Sequence, residues 1–240
     1  MQQQTPPPNW STDEVSKFIE ASRVNKFATY ANLKDEVHRL LDIDISYRKA
    51  IEGLNHSKEW FAGFFLLRAH SNFLAACRLS WSGQIPESYA LLRSCLENAL
   101  YGLYLARNPE SRETWLRRHE SDTAKRKVKN EFKIGVLLLL AKQVDPLEGE
   151  VAAALYEQTI DYGAHPNERA LMQFVEITEA AGTVELKTIY LDGDSDKLRS
   201  SLKTLAQVGV CSLSLFRATY RERFDILGVT AAVDHLKKGL

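Results

Sequence analysis

Cysteine is scarce in this chain and odd in number. Cys77, Cys95 and Cys211 lie far apart, each in an apolar helical context, where a free thiol behaves as a small hydrophobe. This argues against a disulfide framework and for a reducing, cytoplasmic setting. Glycine is sparse as well, at 12 of 240 residues, which disfavours a turn-rich all-β fold. Excess charge is missing: 31 Lys and Arg balance 31 Asp and Glu, so no global field draws the chain to nucleic acid or anionic lipid. Long apolar runs are missing too. The longest covers residues 134–141, eight residues between Lys133 and Lys142, against the ~20 that a membrane span requires. The start, MQQQTPPPN, has neither the basic residue nor the apolar stretch of a secretory leader, so the chain is expected to need no processing and no membrane.

Familiar chemical signatures are absent. There is no glycine-rich phosphate loop, no Cys-x-x-Cys and no His-Glu-x-x-His. A di-iron bundle needs Glu-x-x-His pairs on facing helices, and no histidine here follows a Glu at that spacing. Asp35 and His38 have the spacing, but a single pair makes no ligand set. The sequence therefore gives no support for a metal or a cofactor.

What is present is helical grammar. Residues 1–9 carry too little apolar surface to dock and are expected to form a disordered tail. Ser11 and Glu14 suggest a capping box opening a short helix with Val15, Phe18 and Ile19 on one side. Leu33, Val37, Leu40, Leu41, Ile45 and Ile51 keep helical spacing over about 32–54, so residues 10–55 read as an N-terminal helical arm on a core spanning 56–240. Residues 57–81 are apolar around most of the helix circumference and predict a central helix. Pro86, Pro109 and Pro146 each suit the first turn of a helix, predicting helices to about 107, over 109–143 and over 146–162. β-branched residues on both sides of Ala180-Ala181-Gly182 predict a β-hairpin near 172–191, in competition with a helix over 168–181. Asp194 or Ser195 caps a long closing helix to about Phe216, and a short amphipathic segment follows from Thr230. The expected fold is mainly α: a single compact multi-helix bundle with one inserted hairpin.

Four features could carry function. Arg93 and Glu97 stand four apart on a helix that also carries Tyr89, Tyr101 and Tyr104, so they share a face and need partners if buried. They read either as an ion pair fixing helix packing or as part of a pocket. His70 lies on the buried side of the preceding helix, as a satisfied core histidine or, if it faces Arg93 and Glu97, as a ligand-binding group. The segment 161–167, Asp-Tyr-Gly-Ala-His-Pro-Asn, gathers Asp161, His165 and Asn167 at one turn, as local caps or as binding groups. Residues 107–133 carry nine basic against five acidic residues, a solvated helix face or a local phosphate-binding strip.

Within that segment Arg112 and His119 fit the Arg-x4–6-His pattern of helical, metal-independent ribonucleases of the HEPN type. Six histidines and 16 arginines across 240 residues produce about one such match by chance. Arg93-Ser94-x-x-Glu97, followed by the His165-bearing turn at 162–167, resembles bacterial all-helical proteins of unknown function. That resemblance implies a bacterial, cytoplasmic helical bundle and carries no activity with it. The expected function is a non-catalytic binding or interaction module for a small polar ligand or partner protein, using His70, Arg93, Glu97, Tyr104, Asp161, His165 and Asn167. The alternative is a ribonuclease using Arg112 and His119. Homodimerisation through exposed aromatics near Trp60 and Trp81 is expected as well, and nucleic acid is disfavoured.

Overall fold

The computed structural model describes residues 5–54, 59–172, 175–180 and 182–240. The fold is mainly helical with one two-stranded antiparallel hairpin, as the sequence predicts. Of the expected tail, residues 1–4 lie outside the described residues, and 5–9 are exposed and irregular.

Helix α1 (Glu14–Asn32) departs from expectation in its cap, length and inward face. Its N-cap is Asp13, whose carboxylate accepts from the Ser16 N–H at 2.8 Å and from the Ser16 hydroxyl at 2.6 Å. A carboxylate taking two bonds outcompetes the Ser11 hydroxyl, and Ser11 sits outside the helix at φ 65°. Val15 and Ile19 point to solvent, while Ser16, Ser22 and Thr29 face inward. The helix is anchored by polar bonds, from Thr29 to the Trp81 carbonyl and from Asn25 to the carbonyls of Ser82 and Asp192, so its apolar pattern gave a false face.

Helix α2 (Lys34–Glu52) supplies Leu40, Ile43, Tyr47 and Ala50 to the common core, so only α1 of the expected arm lies outside that core. Helices α3 (Trp60–Trp81) and α4 (Ile85–Arg107) form the most extensive pair. Gly102 lets α4 approach α3 and the helix that carries Phe216, since a Cβ there would lie 3.2 Å from Phe65 and 2.7 Å from the Phe216 ring. The expected central position of α3 is not what the bundle adopts. One side packs on α4, and Trp60, Phe64, Leu67 and Leu74 remain exposed. The more enclosed helix is α10 (Asp196–Thr219), capped by Ser195 and buried along nearly all of its length from Thr204 onward.

The single helix expected over 109–143 is three: α5 (Ser111–Leu116), α6 (Asp122–Glu131) and α7 (Ile134–Val144), with a 3-10 turn at Arg117–His119. Ser121 caps α6 afresh through the Ala124 N–H. The second break lets Phe132 insert between Tyr101 and Tyr104 with ring separations of 5.4 and 5.2 Å, burial that a straight helix would forfeit. Helix α8 (Pro146–Thr159) follows, capped by Asp145, and passes into a π-type turn at Ile160–Ala164. Next come α9 (Glu168–Met172), β1 (Val175–Ala180) and β2 (Thr183–Thr188), paired from Val175↔Thr188 to Ala180↔Thr183. The hairpin and the competing short helix thus share the segment. Helices α11 (Arg221–Ile226) and α12 (Val229–Leu236) close the chain against α10 and α2. Among the described residues no helix is long and apolar enough to cross a membrane.

Candidate functional site

The 3.6-residue period of α4 aligns Tyr89, Arg93, Glu97 and Tyr101 along one face. Three other elements cover that face. The π-type turn lies at its N-terminal end, where Tyr162 stacks on Tyr89 at 5.7 Å. The close approach requires Gly163, whose added Cβ would fall 2.1 Å from the Pro86 carbonyl oxygen. Helix α8 brings Tyr156 to the middle, and Phe132 covers Tyr101 at the far end.

In the middle of this face the Arg93 Nε donates to Glu97 Oε1 at 3.0 Å, and the Tyr156 hydroxyl donates to the same oxygen at 3.2 Å. The guanidinium carbon stands 5.0 Å from the centre of the Tyr156 ring, a cation–π arrangement. Side-chain exposures of 24% for Arg93 and 36% for Glu97 place the pair neither in a dry core nor free in solvent. Burial, reinforced by the Glu97 charge, raises the pKa of Tyr156 and of Tyr101. Both phenols stay protonated through neutral pH and act as donors. For Arg93, burial works against the charge, and the hydrogen bonds and charges of Glu97 and Tyr156 together outweigh it, so its pKa is raised. The terminal guanidinium nitrogens meet no carboxylate or backbone carbonyl among the described residues.

The other expected residues fall in different places. Asp161 pairs with Arg169 at 2.8 Å on the surface. Asn167 caps α9 through the Ala170 N–H at 2.9 Å and donates to the Ile160 carbonyl. His165 is exposed on the same turn. This turn sits over the N-terminal half of α4, so these three share a side of the bundle with Arg93 without bonding to it. His70 turns away from the α4 face: its Nε2 donates to Asp44 on α2 at 2.6 Å, and its ring stacks on Tyr47 at 5.1 Å. Tyr104 packs its ring on Phe132, while Tyr101 holds the position next to Glu97. Tyr156 was not anticipated, because nothing local to α8 tells which of its faces meets α4. Tyr101 was legible from its i+4 spacing to Glu97.

Arg112 is committed to structure. Its Nε donates to the Leu105 carbonyl at 2.9 Å, its Nη2 to Glu59 at 2.6 Å, and its guanidinium lies 5.6 Å from the Phe61 ring centre. His119 is exposed on the 3-10 turn. Among the described residues no cluster of His, Cys, Asp and Glu could hold a metal ion. Comparison with models of known protein families, with curated proteins and with solved structures gives no match.

Proposed function

We propose that this chain is a non-catalytic binding module whose anchor for a small carboxylate-bearing ligand is Arg93. One observation carries the reading. The guanidinium is fixed by its Nε to Glu97 and by its face and a polar contact to Tyr156, and among the described residues its terminal nitrogens meet no carboxylate and no backbone carbonyl. A planar fork held in this way loses little rotamer entropy on accepting two oxygens of an anion. Glu97 orients Arg93, and Tyr156, whose single O–H is given to Glu97, supplies the wall. The adjoining turn with Asp161 and His165 forms the rim. A cytoplasmic setting belongs to the same proposal, supported by three buried free thiols, as does kinship with bacterial helical proteins, supported by the two segments that meet at this face.

The test is thermal unfolding of the wild type and variants across increasing succinate, with sodium chloride at matched ionic strength as control. A native-state ligand raises the midpoint with concentration, and Arg93→Met should abolish that rise while Arg112→Lys retains it. At half burial, Arg93→Met is expected to cost about 1 kcal/mol of stability, and Arg93→Met with Glu97→Leu no more than the single change. A midpoint indifferent to succinate in the wild type, or a rise that survives in Arg93→Met, would refute the assignment.

A further inference from the structure

The exposed residues of α3 are Trp60, Phe64, Leu67, Arg68, Ser71, Leu74 and Arg78. With Arg68 set aside, the steps between them are four, three, four, three and four, the alternation of the a and d positions of a heptad. A helix facing a globular core shows a broader stripe, whereas a narrow seam of this period is what two packed helices share. The exposures are 60% for Trp60, 58% for Phe64, 48% for Leu67 and 39% for Leu74. An aromatic side chain carries ~150–250 Å², so the seam reaches the roughly 300 Å² scale at which exposed apolar surface marks an association site.

The order of residues along the seam selects the occupant. Aromatic residues stand at its N-terminal end and a cation at its C-terminal end. Lys26 of α1 lies beside Arg78, and its pKa is lowered by burial and then by the Arg78 charge. Neither cation has a carboxylate within ion-pair distance among the described residues. In a parallel pair of seams Arg78 would meet Arg78, with the two lysines adding to the repulsion. In an antiparallel pair each a position meets a d position. Trp60 then faces the partner's Arg78, Phe64 the partner's Leu74, and Leu67 the partner's Ser71. Each cation gains the face of a tryptophan, the best of the cation–π partners, and the bulk of each leucine is matched by a small serine. Read backwards, the seam is its own complement, as a two-fold interface requires.

We propose that the chain forms a homodimer through α3, with the two copies of this helix antiparallel and Leu67 of each opposite Ser71 of the other. The anion site is not involved, so the two proposals stand or fall separately.

Sedimentation equilibrium of the full chain over a wide concentration range is the first measurement, with a reversible monomer–dimer equilibrium expected. Phe64→Glu should weaken the dimer at least ~tenfold. Because Phe64 is exposed, its far-ultraviolet dichroism should match that of the wild type, and Leu74→Glu provides a second variant with the same expectation. Orientation is read by thiol crosslinking, since the native cysteines are buried. Differently tagged chains carrying Leu67→Cys and Ser71→Cys should link to each other when mixed, more efficiently than either links to its own kind. A monomer mass at every concentration, a dimer indifferent to Phe64→Glu and Leu74→Glu, or preferential linkage of Ser71→Cys to itself would each overturn the proposal.

Discussion

Asp44 accepts from Arg48 at 2.7 Å and from His70 at 2.6 Å while only 19% of its side chain is exposed. Burial pulls its pKa upward, and the hydrogen bonds and charges of Arg48 and His70 together outweigh burial, so the folded-state carboxyl titrates below its ordinary value of 3.8. A depressed carboxyl stabilises the fold fully above its unfolded pKa, and that contribution is lost as the pH falls through the folded one. Asp44→Asn should therefore cost about 1–2 kcal/mol at pH 7. Denaturant unfolding from pH 7 to pH 3 should show the gap to the wild type narrowing below about pH 4. A gap independent of pH would mean that the contact acts through packing alone. The sequence placed His70 on a buried helix face correctly, but its partner sits 26 positions away on α2. No spacing rule reaches that far, so the sequence could name a satisfied core histidine without naming what satisfies it.

Elements meet here through close backbone approaches as much as through side chains. Gly163 lies against Pro86, and the carbonyl of Gly83, at φ +84°, accepts a 2.9 Å hydrogen bond from the Asp192 N–H. A methyl group at residue 163 would penetrate the Pro86 carbonyl, which is backbone and cannot rotate aside. Gly163→Ala is expected to lower stability by about 2 kcal/mol or more and, by shifting the turn off Tyr89, to disturb the wall beside Arg93. Thermal unfolding reads the first effect. The second would appear as weaker stabilisation by succinate, and a variant as stable as the wild type would show that the turn yields easily. The stop signal at this glycine was legible in the sequence, whereas its packing against Pro86 was not, because a glycine that ends a helix and one that admits a neighbour look alike.

Across the whole molecule, Cys77, Cys95 and Cys211 are buried and unpaired, and burial raises the pKa of all three. Since the thiolate is the reactive form, a thiol reagent near neutral pH should find almost none in the native protein and three after denaturation. Rapid modification of any one before unfolding would reveal an opening of the bundle at that cysteine. The state of these thiols could be read from their apolar neighbours in the chain, as could the helix starts at Pro86, Asp145-Pro146 and Ser195. A cap is chemistry between residues within three positions of each other, so sequence narrows it to a few neighbours, although at α1 Asp13 took the place expected of Ser11. Which faces turn inward is a competition for cover among all elements. α3 is apolar around most of its circumference but has neighbours on only part of it, leaving the Trp60–Phe64–Leu67–Leu74 seam outside. α1 turned polar side chains inward, where the Thr29 hydroxyl donates to the Trp81 carbonyl and the Asn25 amide to that of Ser82. The expected helix over 109–143 broke where Phe132 found a place between Tyr101 and Tyr104. These outcomes belonged to the tertiary structure alone, because burial is a property of the surface a residue meets and not of the residue itself.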